Sequence, residues 1–446
     1  MRRFILLSEA KFLPLFIVVP VIAQGLVVSP TNDNPLPAFP TAEGYGKYTV
    51  GGRGGTVYEV TTLKPYGPGS LGAAIEASGP RIVVFRVSGT IEGDFVIRND
   101  YITIAGQTAP GDGICIKGRL QIKANNVIIR YIRVRSKGVG DAVEARGRKN
   151  IILDHVSASW GADEVMSVYR NENVTIQWCI ISEACGRGGK HRFGGIWGNN
   201  YGTYHHNLFA HNDSRNPRWA SGTGFNDFRN NVIYNWGYQS CYGGERGEKG
   251  FTVNMVANYY KPGPATRSDV RRRIAQPSGQ GSWYVAENVV VGYPEVTDNN
   301  WLGVDGSDFI KLVAPWKAMP INQQRAEEAY LAVLERAGCS LPRRDPVDAR
   351  IVQEVRSGTA TYGNNGIIDS PNDVGGWPTL RSEPAPADSD HDGMPNSWEV
   401  LHRLNPFDKS DGNKKNLSLE GYTNIEVYLN ELAGDPVKCR VCSRVK

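Results

Sequence analysis

Residues 203–210 read TYHHNLFA, and close counterparts of this stretch lie on both sides of it. VIIRYIRV (127–134), IILDHVSA (151–158) and VTIQWCII (174–181) precede it, and DFRNNVIY (227–234), VNMVANYY (253–260) and WYVAENVV (283–290) follow. Aligned on Tyr131, His155, Trp178, Asn207, Asn231, Asn258 and Asn288, the segments stand 24, 23, 29, 24, 27 and 30 residues apart. That period is one turn of a solenoid. A single unit cannot bury its apolar face, whereas turns stacked in parallel bury a continuous core, and asparagines recurring on four successive turns can form a hydrogen-bonded ladder. A β-sandwich would show shorter, more regular turn spacing and stricter alternation of polarity. The expected fold class is therefore all-β, a right-handed parallel β-helix with short helical segments and a small C-terminal appendage.

Outward from that stretch, the strand at 203–209 runs into a polar turn holding Arg215, Asn216, Pro217 and Arg218. Pro217 fixes its own φ and biases Asn216 to extended backbone, so the turn aims two guanidinium groups from a strand end. Such a pair suits a ligand bearing carboxylates. With 446 residues, the chain accommodates one elongated repeat architecture with an appendage, and 51 Gly and 20 Tyr make it turn-rich yet foldable. A net charge of +5 without a long basic run or an aromatic-basic motif argues against nucleic acid and is compatible with an acidic polymer.

The N-terminus reads as an export signal over residues 1–23: Arg2 and Arg3, an apolar core from Phe12 to Ile22, and Val21-Ile22-Ala23 as the cleavage site. The apolar run is shorter than the ~20 residues of a membrane span and is interrupted by Pro14 and Pro20. A secreted or periplasmic, monomeric protein without a membrane span is expected. The seven cysteines define no disulfide framework, and Cys439 and Cys442, a lone CxxC, are assigned no function. The Gly-rich stretch AEGYGKYTVGGRGG (42–55) lacks the ending and context of a phosphate loop and reads as a turn-rich cap. A short helix is expected within 70–78. Beyond residue 300 the period fades, and helical patterns over 323–337 and 348–355 are expected to cover the end or flank of the solenoid. The expected division is a β-helix catalytic domain at 42–300, a covering segment at 301–381, a linker at 382–387, a calcium-loop module at 388–432 and a tail at 433–446.

The module rests on its own motif. Asp388, Asp390, Asp392, Gly393 and Glu399 occupy positions 1, 3, 5, 6 and 12 of a calcium-binding loop, with glycine at the sharp turn and a glutamate able to bind through both oxygens.

NIILDHVSASWGADEVMSV (150–168), TYHHNLFAHNDSRNPR (203–218) and the turn spacing resemble the pectate lyase family of polysaccharide lyases, over about residues 40–300. The resemblance implies a shallow groove that binds polygalacturonate and cleaves it by β-elimination with calcium. Elimination removes the proton beside the uronate carboxylate, so negative charge gathers there and cations must be in place. By resemblance Arg215 is the proton-abstracting base, although neutralising a guanidinium at pH 9 costs roughly 5 kcal/mol. Arg218 is the expected clamp on the substrate carboxylate, although the family's second arginine falls later in this turn, where this chain has Ala220. Lys190 and Arg192 are further candidates for substrate binding. Asp141, Asp163 and Glu164 are the expected calcium ligands, in a shell thinner than the family's because Val139 and Ser167 stand at two of its acidic positions. Asp154 and His155 are expected to be structural, with Asp154 orienting turn backbone. Two alternatives remain open: a pectin-lyase-like enzyme using Trp160, Trp197 and Trp219 in its groove, and a non-catalytic binder of acidic polysaccharide. A polygalacturonase is excluded by the lack of its Gly-His-Gly signature.

Overall fold

The computed structural model describes residues 35–186 and 191–440, of which 36–440 belong to one compact unit. The expected export signal and Lys190 lie outside the described residues. Within them the chain winds through three sheets in turn. Sheet one has eleven strands from Thr56–Val60 to Ile310–Lys311, sheet two has nine from Gly89–Glu92 to Val289–Val290, and sheet three has eight from Phe95–Ile97 to Ala275–Pro277. Each strand pairs in parallel with its counterpart one turn away, as in Ile151↔Val174 and Val174↔Gly202, so the molecule is a parallel β-helix.

The period follows from what each turn buries. On sheet one, Ile104, Ile129, Leu153, Ile176, Tyr204, Phe228, Met255 and Val285 stand in register and point into the core. Each such side chain contributes about 1.5–3 kcal/mol of burial, and none finds it within its own turn. Between sheets one and two the chain bends at a residue in the left-handed region: Tyr131, His155, Trp178, His206, Asn230, Ala257 and Glu287, with φ from 52° to 62°. The residue after each bend points inward, and there the ladder forms. The Oδ1 of Asn207 accepts from Cys179 N, and that of Asn231 accepts from both the backbone and side-chain nitrogens of Asn207; Asn258, Asn288 and Asn300 continue the pattern at 2.7–3.0 Å.

This pairing corrects the alignment by one residue in the first three turns. Trp178 matches His206, and Cys179 matches Asn207, 28 residues on. Tyr131, His155, Trp178 and His206 form a separate stack at the bend, with ring centroids 4.5, 6.0 and 4.2 Å apart.

The Gly-rich 42–55 stretch is a strap along sheet one and not a cap on the solenoid end. Its backbone donates to Gln177 Oε1, Thr203 Oγ1, Thr175 Oγ1 and Thr103 Oγ1. A Cβ on Gly46 would lie 2.6 Å from Ile151 O and Thr175 N, which explains the glycine there. Ser70 caps the helix Leu71–Glu76. Helices Ala326–Arg336 and Pro346–Ser357 cover the flank of sheet two, where Val333, Leu334, Ile351 and Val355 pack on Ile180, Leu208 and Val232. Buried ion pairs pin them: Arg135 reaches Asp345 and Asp348, and Arg350 reaches Glu183. The helix Asn424–Leu432 lies on sheet one, with Ile425, Tyr428 and Leu429 against Ile82, Val84 and Ala105. Among the described residues, no helix is long and apolar enough to cross a membrane.

Candidate active site

Sheet three positions the site. Asp141 precedes its strand Val143–Arg146, Asp163 and Glu164 precede Met166–Tyr169, Phe193 precedes Ile196–Gly198, and Arg215 precedes Arg218–Trp219. Isolated parallel bridges Glu164↔Phe193 and Phe193↔Ser214 carry the stacking one step beyond the strands. Four successive turns thus deliver their entering residues to one border of the sheet. Close approach there requires Gly195, whose Cβ would fall 1.9 Å from Met166 O.

Arg215 sits at φ 57°, and its carbonyl accepts from Gly195 N at 2.8 Å. Its guanidinium pairs with Glu164 and lies 4.2 Å from the Phe193 ring centroid, while its Nε is buried without a hydrogen-bond partner. A cation held between a carboxylate and an aromatic face keeps a fixed plane. The Asn216–Pro217 peptide that follows is cis.

Oxygens of Asp141, Asp163 and Glu164 all lie within 4.8 Å of one another. Glu164 N donates to Asp141 Oδ1 at 3.2 Å, and exposed Asp163 meets His191 Nδ1 at 3.0 Å. Burial pushes the Asp141 carboxyl up to about 7, the nearby charges of Asp163 and Glu144 push the same way, and the Ser167 hydroxyl and Arg119 only partly offset this. Protons and cations compete for such a cluster. Three converging carboxylates match the oxygen donors of a hard divalent cation, with Glu164 shared between this cluster and the Arg215 guanidinium. Ser167 is buried in the sheet and adds no carboxylate.

The other predicted residues are held by partners of their own, both near and far in sequence. Arg218 Nη2 reaches Glu245 Oε1 at 3.2 Å, Arg218 Nη1 donates to Trp219 O at 3.1 Å, and the guanidinium stands 5.8 Å from the Tyr242 ring. It shares a row with Ile196, Tyr242 and Gln276 across sheet three. Arg192 pairs with Asp369, whose segment belongs to the covering region, so that region reaches the site border. Asp154 is not a turn orienter: it is fully buried and binds Arg130 at 2.7 Å, Gln177 at 2.8 Å and His155 at 2.9 Å. Trp160, Trp197 and Trp219 are wholly buried and line no groove. A cavity of about 450 Å³ lies elsewhere, at the far border of sheet three beside Arg148, Arg170 and Lys249.

Phe193, Asp369 and Glu245 were not anticipated. Glu245 stands 27 residues after Arg218, one turn on, so the period itself could have identified it.

No family model matches the chain. A probable pectate lyase C of Aspergillus flavus is 38% identical over 416 residues, covering 89% of this chain and 94% of the relative. The protein of the same name from Emericella nidulans is 37% identical over 413 residues, covering 89% and 93%. The crystal structure of jun a 1, the major allergen from cedar pollen, superposes with a TM-score of 0.52 at 17% identity, covering 67% of this chain and 92% of that one, and supports the fold alone. Identity of this order along nearly the whole length of both sequences settles descent: the chain belongs to the pectate lyase family of polysaccharide lyases.

Proposed function

We propose that this protein is exported and cleaves polygalacturonate by calcium-assisted β-elimination at the border of sheet three. The observation that carries the reading is Glu164, which touches the Arg215 guanidinium on one side and joins the Asp141–Asp163 cluster on the other. Base and cation site are thereby adjacent on successive turns.

Asp141, Asp163 and Glu164 would hold the calcium ion, which when bound supplies positive charge against the uronate carboxylate as the transition state forms. Arg215, in its neutral form, takes the proton from C5 beside that carboxylate, the electron pair left behind forms the C4–C5 double bond as the C4–O bond breaks, and the departing glycosidic oxygen takes a proton from water. Phe193 keeps its guanidinium plane fixed and sheds water from one face. Glu164 faces both groups, so charge it lends to the cluster is withdrawn from Arg215. Arg218, on the floor of the sheet, contacts a substrate carboxylate after leaving Glu245, and Arg192 does the same at the border after leaving Asp369. No acid–nucleophile pair of the glycosidase kind is needed, because the leaving bond breaks by elimination. The basic start and apolar run of residues 2–22 support export.

Ultraviolet absorbance of the conjugated 4,5-unsaturated product tests the reading, with polygalacturonate, with calcium and with chelator. A calcium-dependent rise is expected. A rise indifferent to chelator would overturn the role of the acidic cluster, and retained binding without any rise would leave a carbohydrate-binding solenoid.

A further inference from the structure

A second set of carboxylates lies away from sheet three, in the segment packed on sheet one. Asp388 spends its oxygens on its own loop, accepting from His391 N at 2.9 Å and Gly393 N at 3.0 Å. Asp390 and Asp392 each use Oδ1 in the same way, on Asp392 N and Met394 N. What remains is unusual: Asp390 Oδ2, Asp392 Oδ2, Asp411 Oδ1 and both carboxylate oxygens of Glu399 are buried without a hydrogen-bond partner. Glu399 is 0% exposed, Asp392 2% and Asp411 4%. The nearest pairing is Arg86 to Asp388, at 4.0 Å. Oxygens of Asp388, Asp390 and Asp392 lie within 4.8 Å of one another, as do those of Asp392, Glu399 and Asp411. Asp392 belongs to both groups. Buried anions without partners are expelled or neutralised unless a cation joins them.

Asp411 is the ligand the loop motif does not contain. It lies in the turn Asp411–Asn413 beyond the loop, its Oδ2 accepts from Asn405 N at 3.1 Å, and its carbonyl accepts from Asn424 Nδ2 at 2.9 Å. Asn424 opens the helix whose Ile425, Tyr428 and Leu429 pack with Met394 on sheet one. That helix is tied to the solenoid by Arg53–Glu426 at 2.7 Å, and the chain just beyond it by Arg130–Asp435 at 2.9 Å.

We propose that a calcium ion bound by Asp388, Asp390, Asp392, Glu399 and Asp411 clasps residues 388–435 onto the N-terminal turns of the β-helix. Oxygen-only donors, with a glutamate able to bind through both oxygens, select a large hard cation. The ion joins the loop to the helix through Asp411, so its loss sets five carboxylates against one another where the segment meets sheet one. The clasp is independent of the groove and of the lyase reading, and it makes the integrity of this segment, not turnover, the property that calcium controls here.

The test is calcium titration of the full chain by calorimetry, with terbium luminescence as a second probe, in an Asp163→Asn background that weakens the groove cluster. One calcium site is expected to remain. Adding Asp411→Asn is expected to weaken it at least about tenfold, since ligand charge count sets affinity over decades. Limited proteolysis is expected to cut within 388–435 in chelator and not in calcium, with the solenoid intact in both. Asp411→Asn alone is expected to keep wild-type turnover at saturating calcium. Absence of a residual site, or unchanged affinity in Asp411→Asn, overturns the proposal. Should that variant fail to fold, Asp390→Asn, at a less buried position, gives the same readout.

Discussion

Asn231→Ala removes one rung of the asparagine ladder, and the consequence can be counted. The side chain is 0% exposed. Its Oδ1 accepts from Asn207 N at 3.0 Å and Asn207 Nδ2 at 2.9 Å, and its Nδ2 donates to Tyr204 O, Arg229 O and Asn258 Oδ1, each at 3.0 Å. After truncation Asn207 Nδ2 keeps Ile176 O, and Asn258 Oδ1 keeps the backbone N–H of residue 231. The Asn207 backbone N–H keeps nothing. An orphaned buried donor costs about 1–3 kcal/mol, and the lost net hydrogen bonds and small cavity bring the total to about 3–4 kcal/mol. Urea denaturation followed by tryptophan fluorescence reads this as a lower midpoint at unchanged slope. A loss below about 1 kcal/mol would refute the view that the ladder carries load, and would mean that water or a backbone shift replaces it.

Asp163→Asn should raise the calcium concentration needed for half-maximal cleavage while leaving thermal stability within about 0.5 kcal/mol, because its side chain is exposed; an unchanged calcium requirement would remove it from the cluster. Burial alone would raise the Glu354 carboxyl, but hydrogen bonds and charge from His211, the Thr361 N–H and Arg350 hold it down to about 2. An unfolded chain protonates this group at its ordinary 4.5, so its stabilising contribution is complete above that pH and drains as pH falls toward 2. Glu354→Gln should therefore narrow its stability deficit below pH 4.5, and a constant deficit from pH 7 to pH 2 would contradict this assignment.

The fold was legible because each turn repeats a demand that side chains answer in the same place: an inward aliphatic or aromatic, a bend, then an asparagine. The one-residue slip at Tyr131, His155 and Trp178 arose because bend and ladder positions are adjacent, and aromatic bend residues such as Trp178 resemble ladder residues when Cys179 takes the ladder's place. Asp141, Asp163, Glu164 and Arg215 were expected from the resemblance of their motifs to the pectate lyase family, and all four enter strands of one sheet on neighbouring turns. Their restraint was less visible. Asp369 comes from the covering region, where no period links it to Arg192, and Asp411 lies beyond the loop motif whose Asp392 and Glu399 it meets. Contacts of this kind depend on where a segment folds back, which local spacing does not encode. Buried Trp160, Trp197 and Trp219 teach the converse: an aromatic near a site motif in sequence can belong entirely to the core.

The most direct test of the central claim is the initial rate of unsaturated-product formation by Arg215→Ala against the parent, at saturating calcium and polygalacturonate, with binding measured separately. Loss of the base should lower kcat by about 10²- to 10⁴-fold while substrate affinity stays within a few fold. Turnover retained within about threefold, with the fold and calcium binding intact, would show that the proton leaves to another group and that Arg215 is only a substrate contact.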